Sequence, residues 1–251
     1  MTCLMTLANN LANARRTRTF HTFQAGDAPA DHAGAYAIQA EVAKLTGNGV
    51  AGWKTGFAPQ GQGIAIAGPL FSGDTRPDGG AYRLAKGEWV IVEVELALRL
   101  ARDLPKGPVY SVDDILDATD EVLCAIELVG TRYADFDAPP FEAKLADNLN
   151  NAGFVAGSGR RDVRAVARSG MALKLWRDGA LMADHEARHN DGEPLLAVAA
   201  FASQQPDHLG GLKAGHYVTT GSLNRLLKID GPAEFKAELG GIGNVSLRIK
   251  I

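Results

Sequence analysis

The chain is poor in cysteine, has no long apolar run and carries no excess of positive charge. Two cysteines in 251 residues, Cys3 and Cys124, cannot build a disulfide scaffold, and no Cys-x-x-Cys pair or zinc-type cluster is present. The longest apolar candidates, Trp89–Val92 and Val122–Ile126, are strand-sized, far short of a membrane span. With 26 Lys+Arg against 29 Asp+Glu the formal net charge is −3, so there is no basic footprint for nucleic acid. No repeat of 20–50 residues and no low-complexity linker divides the sequence. What remains is a globular protein of a reducing compartment, expected in the cytoplasm, with no membrane or nucleic-acid partner. A chain of this length buries roughly 70–75% of its unfolded surface.

No acidic residue precedes Asp27, while Arg15, Arg16 and Arg18 cluster. That composition is shared by organellar transit segments and by surface helices. The spacing of Leu4, Leu7 and Leu11 favours a helix over Leu4–Arg16. A second helix is expected over Ala35–Leu45, with Gly47 as its stop. Val50–Phe57 is a short strand carrying one lysine, and Gln60–Gly80, rich in Gly and Pro, is expected to be a long loop. Glu88–Leu100 and Val122–Val129 are strands, and Ser111 with Asp114 forms a capping box before a short helix. Further on, Met171–Arg177 and Ala180–Arg188 flank Asp178-Gly179, a strong hairpin signal. Pro194–Gln204 is helical, and His216–Thr220, Ala233–Leu239 and Asn244–Ile251 are strands. These elements predict an α+β fold on a curled, mostly β core, with residues 1–48 mainly helical and 49–251 β-rich, in one domain spanning 1–251.

The most informative stretch is Glu88-Trp-Val-Ile-Val-Glu-Val-Glu-Leu-Ala-Leu-Arg-Leu100. Alternation puts Glu93 and Glu95 on one face of a strand whose two faces are otherwise apolar. Buried carboxylates repel and are costly unless a cation compensates them. Arg83, Arg99 or Arg132 could do so; so could a divalent metal, for which carboxylate oxygens are the preferred ligands of hard cations. Glu127, alone in the second apolar run Val122–Val129, favours the oxygen-ligand site. With no His- or Cys-rich cluster, zinc is disfavoured.

Lys54, between Gly52 and Gly56, reads either as a snorkelling surface lysine or as a partly buried amine that binds an anion or moves a proton. Asp147-Asn148 and the run Thr219-Thr220-Gly221-Ser222 offer polar groups to an anionic ligand, although both are also ordinary turn compositions. His185 and His189 read as surface residues.

Taken in order, Ala35-Tyr-Ala-Ile-Gln39, Gly52-Trp-Lys-Thr-Gly56, Val92-Glu-Val-Glu95, Ala125-Ile-Glu127, Ala146-Asp-Asn148, Leu212-Lys-Ala-Gly215, Thr219-Thr-Gly-Ser222 and Gly243-Asn-Val-Ser-Leu-Arg-Ile249 resemble the 2-keto-4-pentenoate hydratase branch of the fumarylacetoacetate hydrolase superfamily. The resemblance runs through nearly the whole chain. It implies a mixed β-roll, a Mg²⁺ or Mn²⁺ ion held by Glu93, Glu95 and Glu127, and a 2-oxo or 2-hydroxy-dienoic acid substrate in a homo-oligomer. It further implies that Lys54 binds substrate or relays a proton, with Asp147, Asn148, Thr220, Gly221 and Ser222 around the substrate.

The sequence departs from this family in the run Gly68-Pro-Leu-Phe-Ser-Gly-Asp-Thr75, where Ser72 and Gly73 stand at the expected acidic positions and Asp74, the candidate for proton transfer, is displaced. Ala183–Arg188 also lacks the small residues expected before the following helix. The expected activity is a hydro-lyase adding water to a 2-hydroxyalka-2,4-dienoate from aromatic catabolism, giving a 4-hydroxy-2-oxo acid. Alternatives on the same site are a 4-oxalocrotonate-type decarboxylase and a C–C hydrolase. A hydrolase needs a histidine base near the metal, and neither His21 nor His32 lies in a suitable motif. A non-catalytic metal-binding homologue is a further alternative.

Overall fold

The computed structural model describes residues 3–59, 63–166, 168–189, 192–206, 208–224 and 226–251. Two helices that pack together come first, α1 (Cys3–Thr17) and α2 (His32–Thr46). Asp31 caps α2 by accepting from the Gly34 N–H at 2.8 Å, and Gly47 ends it at φ 69°, a left-handed conformation suited to glycine. The first strands are β1 (Val50–Phe57), β2 (Ala65–Phe71), β3 (Thr75–Pro77), β4 (Gly80–Arg83) and β5 (Val90–Leu100). After α3 (Val112–Asp117) come β6 (Thr119–Val129), α4 (Phe141–Ala146) and β7 (Asn151–Arg160). The hairpin β8 (Met171–Arg177) and β9 (Ala180–Ala187) turns at Asp178 and Gly179, both at positive φ as a two-residue turn requires. The chain ends with α5 (Leu195–Gln204), β10 (Tyr217–Ser222), β11 (Leu227–Ile229), β12 (Ala233–Leu239) and β13 (Gly243–Lys250). The capping box at Ser111 and Asp114 is present at the start of α3.

The expected loop over Gln60–Gly80 is instead strand for much of its length; its residues 60–62 lie outside the described set. Here β2 is buried along its whole length, so it shows no alternation of apolar and polar residues. Its Pro69 is tolerated because β2 ends the sheet and needs hydrogen bonds on one side only.

The strands form two sheets. The larger has the order β2-β1-β10-β5-β6-β7-β3, with β11 also paired to β5; the smaller has the order β4-β13-β12-β8-β9. One face of β5 and β6, with Val92, Val94, Leu96, Val122, Cys124 and Ile126, packs in the main core with the second sheet, α3 and α5. The opposite face curls inward. Leu70 of β2 meets Ala97, Leu123, Ala125 and Phe154 of β5, β6 and β7 in a small apolar plug, although β2 and β7 lie far apart in the sheet order. A separate cluster, including Leu7, Leu11, Ile38, Val42, Ile66 and Leu145, packs α1, α2 and α4 onto the outside of β2. Among the described residues no helix is long and apolar enough to cross a membrane. The architecture is a mixed α+β fold with a curled sheet, as the residue pattern predicts.

Candidate functional site

Register brings the three glutamates together. Glu93 of β5 pairs directly with Glu127 of β6, and Glu95 lies two residues along β5 on the same face. One carboxylate oxygen from each falls within 4.8 Å of the others. Glu95 and Glu127 are fully buried and Glu93 is partly exposed. The cation that reaches them is a lysine. Lys54 on β1 places Nζ 2.9 Å from Glu127 Oε1. The arginines offered by sequence are occupied elsewhere: Arg83 donates to the Ile251 carbonyl, Arg99 pairs with Asp120 and Glu121, and Arg132 with Asp147.

The electrostatics follow from burial and crowding. Burial raises the Glu95 carboxyl well above the usual carboxylate range; the Glu127 and Glu93 charges add to this, while Lys54 and a backbone hydrogen bond oppose it. Glu93 is raised as well, by burial and by Glu127, against the pull of Lys54. Burial by itself would lower the Lys54 ammonium, but the charges of Glu127, Glu93 and Glu95 outweigh it and raise its pKa. Lys54 is therefore a cation near neutral pH. One ammonium cannot balance three carboxylates, so without a further cation burial and crowding favour protons on Glu95 and Glu93.

Glycines shape the walls. Gly221, at φ 116°, sits in a bulge where the β10–β5 register shifts between Thr219 and Ser222. The bulge aims its N–H at Glu95 Oε2, 2.9 Å away. A Cβ on Gly221 would lie 2.6 Å from His189 Nε2. His189 is buried against this bulge and donates from Nε2 to the Thr220 carbonyl at 2.6 Å, so the expectation of a surface residue is corrected. His185 is exposed, as expected. Across β1, Gly68 pairs with Lys54, and a Cβ there would meet the Asn148 carbonyl oxygen at 2.4 Å. The missing side chain lets the Asn148 backbone close over β2, beside the lysine strand. Asn148, Leu149 and Asn150 all have positive φ, a strained turn that asparagine accepts more readily than leucine.

No family model matches this chain. A 2-keto-4-pentenoate hydratase of Burkholderia vietnamiensis (strain G4) is 31% identical over 220 residues, covering 84% of this chain and 83% of the relative. The chain belongs to the 2-keto-4-pentenoate hydratase family. The fold agrees. The solved 4-oxalocrotonate decarboxylase from Pseudomonas putida G7, complexed with magnesium and adipate, superposes with a TM-score of 0.82 at 23% identity, covering 98% of this chain and 97% of that one. The structure of a putative fumarylpyruvate hydrolase from Burkholderia cenocepacia gives a TM-score of 0.54 at 15% identity over 79% and 84% of the two chains. The curled sheet is that of the fumarylacetoacetate hydrolase superfamily.

Of the residues the hydratase-family resemblance marks, the structure gathers Lys54, Glu93, Glu95, Glu127 and Gly221 around one point. Others have different partners. The Thr220 hydroxyl donates to the Leu96 carbonyl and that of Ser222 to the Asn224 carbonyl, so both support the bulge. Asp147 accepts from the Arg132 backbone N–H, Arg132 Nε and the Thr131 hydroxyl, with Arg15 3.6 Å away. Asp74 pairs with Arg15 at 3.3 Å. These two aspartates thus belong to an arginine cluster beside α1, where ion pairing occupies them.

One residue was not singled out in the sequence. Asn151 donates from Nδ2 to Glu127 Oε1 at 2.9 Å, fixing that carboxylate from the β7 side. Thr219, which the sequence offered only within a polar run, pairs in register with Lys54, is fully buried and has a hydroxyl without a hydrogen-bond partner in the structure. Register gives both their place, and register is invisible in a single sequence.

Proposed function

We propose that this chain is a divalent-metal-dependent hydratase that adds water to a 2-hydroxyalka-2,4-dienoate, giving a 4-hydroxy-2-oxo acid. One observation carries the proposal: three glutamate oxygens lie within 4.8 Å of one another on a buried, inward-curled face. Glu95 Oε1 and Glu127 Oε2 are buried without a partner. Two orphaned acceptors and three crowded carboxyl groups facing a single ammonium fit a hard dication, for which Mg²⁺ or Mn²⁺ is the proposed identity. When bound at Glu93, Glu95 and Glu127, the dication supplies Lewis-acid polarisation of the substrate's 2-oxygen.

The chain's own groups do the rest. The Lys54 ammonium, held protonated by its neighbours, offers a positive charge and a proton to the substrate carboxylate or to the carbon being protonated. Protonation at C5 of the dienol converts it to a conjugated 2-oxo-3-enoate; water then adds at C4 while C3 takes a proton. The apolar plug of Leu70, Ala97, Leu123, Ala125 and Phe154 closes the floor below the charged groups, so substrate enters from the opposite end of the curl. Thr219 and the Asn148 turn are positioned to border it. Asp74 receives no step here because of its pairing with Arg15.

We extend the proposal to a single catalytic unit spanning 1–251, in a cytoplasmic, symmetric assembly of several copies. The exposed apolar side chains Leu181 and Met182 on the edge strand β9 support association. The test is turnover of freshly generated 2-hydroxypenta-2,4-dienoate with Mg²⁺, followed by loss of dienol absorbance and product NMR. A hydrated 2-oxo acid is expected. Carbon dioxide release from a 2-oxo-enedioate, with no hydration, would replace this activity by decarboxylation.

A further inference from the structure

The bulge in β10 is built against an imidazole. Thr219 pairs with Ala97 and Ser222 with Glu95, so three steps along β10 answer two along β5. On the β1 side the register pairs end at Thr219. Thr220 is therefore buried at a point where neither neighbouring strand pairs with it. A buried carbonyl without a donor is costly, so a group from outside the sheet has to answer it. His189, in the segment between β9 and α5, does so from Nε2 at 2.6 Å. Because a carbonyl oxygen only accepts, Nε2 carries the proton.

The imidazole is held from two directions. Its own residue's carbonyl accepts the Gly192 N–H at 3.0 Å, and Glu193, next along the chain, takes Arg168 Nε at 2.9 Å and Nη2 at 3.0 Å. On the other side the ring lies against Gly221, where the absent Cβ leaves the room that Nε2 fills.

One peptide unit joins this histidine to the glutamates. The Thr220 carbonyl and the Gly221 N–H belong to the same planar, trans group, so they point in opposite directions. The carbonyl end takes the His189 proton, and the N–H end meets Glu95 Oε2 at 2.9 Å. A donor on the carbonyl also polarises the N–H and strengthens its bond to the carboxylate. Glycine at 221 would otherwise let this peptide rotate at little cost. With Oε2 held, Glu95 Oε1 is the oxygen left without a partner.

We propose that His189 is a positioning residue of the metal site: it clamps the Thr220–Gly221 peptide, which sets the rotation of the Glu95 carboxylate and presents Oε1 to the dication. The assignment rests on the metal-site reading above. His189 is not itself a ligand; among the described residues, the acidic side chains grouped closely enough to share an ion are Glu93, Glu95 and Glu127. It acts through the backbone.

The test reads metal binding directly. Mn²⁺ is titrated into metal-free protein, and the free ion is followed by its electron paramagnetic resonance signal. His189→Gln, whose amide nitrogen stands close to the place of imidazole Nε2, is expected to bind Mn²⁺ nearly as tightly as the unaltered protein. His189→Asn, whose amide falls short of the Thr220 carbonyl, and His189→Leu are expected to bind about tenfold more weakly, the low end for losing an outer partner of a metal ligand. The Gln and Asn variants both keep a polar side chain, so their comparison stands even where His189→Leu does not fold. Leu247→Ala, in the buried core on β13, lowers the melting temperature without that loss of affinity, which separates positioning from general destabilisation. Equal affinity of the Gln and Asn variants, or a loss as large in Leu247→Ala, overturns the assignment and leaves the metal site standing. If the unaltered protein leaves all the Mn²⁺ free, the metal-site reading fails, and this one with it.

Discussion

Lys54 Nζ stands 2.9 Å from Glu127 Oε1, and the same oxygen accepts from Asn151 Nδ2 at 2.9 Å. Strands β1, β6 and β7 thereby meet at one carboxylate oxygen. Its partner oxygen, Oε2, is buried without a hydrogen bond. The contact explains how the site folds with three crowded glutamates. It also leaves the unpaired oxygens for a dication.

Mg²⁺ is expected to raise the melting temperature, and Glu95→Gln to abolish that rise. In metal-free protein the same substitution relieves charge repulsion only where Glu95 is ionised, so any gain in melting temperature is expected to grow with rising pH, about 1 kcal/mol corresponding to roughly 2–4 °C in a domain of this size. Thermal melts of both proteins with and without Mg²⁺ check this. Superimposable curves for the unaltered protein in the two conditions would defeat the metal assignment.

The pH dependence has a definite sign. Glu95 and Glu93 have raised pKa values in the folded protein, so the folded state binds more protons than the unfolded one above the ordinary carboxylate range. Metal-free stability therefore falls as pH rises from about 4.5, the unfolded value, through the raised folded values. Metal binding displaces those protons, so the Mg²⁺-induced gain grows over the same window. Melts at a series of pH values, with magnesium and with chelator, measure both slopes; a Mg²⁺ gain that shrinks with rising pH contradicts the assignment.

Lys54→Ala is expected to slow dienol turnover by about 10²-fold or more, the range for losing a positioned proton-transfer group. Because Lys54 also offsets the glutamate charges, the metal-free variant loses stability, and Mg²⁺ recovers much of it. Steady-state rates together with melts separate the two effects.

Gly221→Ala is expected to disturb the bulge that serves Glu95. A side chain at φ 116° costs about 1–3 kcal/mol, and its Cβ would press on His189 Nε2. Destabilisation together with weaker Mg²⁺ binding is the expected outcome, measured by melts and by titration of Mg²⁺.

Asp147→Ala is expected to act through stability. It strands the buried Arg132 guanidinium, a change of about 3–5 kcal/mol for a broken buried pair. Arg15 beside it already has a pKa lowered to about 10 by burial and by Arg132, so removing a neighbouring carboxylate adds to the strain. Any protein that remains folded should bind Mg²⁺ with nearly unchanged affinity; a large loss of affinity would move Asp147 into the metal site.

The sequence by itself determined the two amino-terminal helices, the long strands β5 and β6, the Asp178-Gly179 hairpin and the conflict posed by Glu93, Glu95 and Glu127. Each rests on local information: periodicity, turn chemistry, or charge where apolar residues surround it. The tertiary structure decided which cation answers those charges. Lys54 precedes Glu127 by more than seventy positions, and only strand order and register place it there, ahead of three arginines that looked equally suitable. Register likewise turned Asn151 and Thr219 toward the site, while packing of α1 and the Arg132 segment gave Asp74 and Asp147 to arginines. The strand β2 stayed hidden because burial along its whole length removes the alternation by which a half-exposed strand is read.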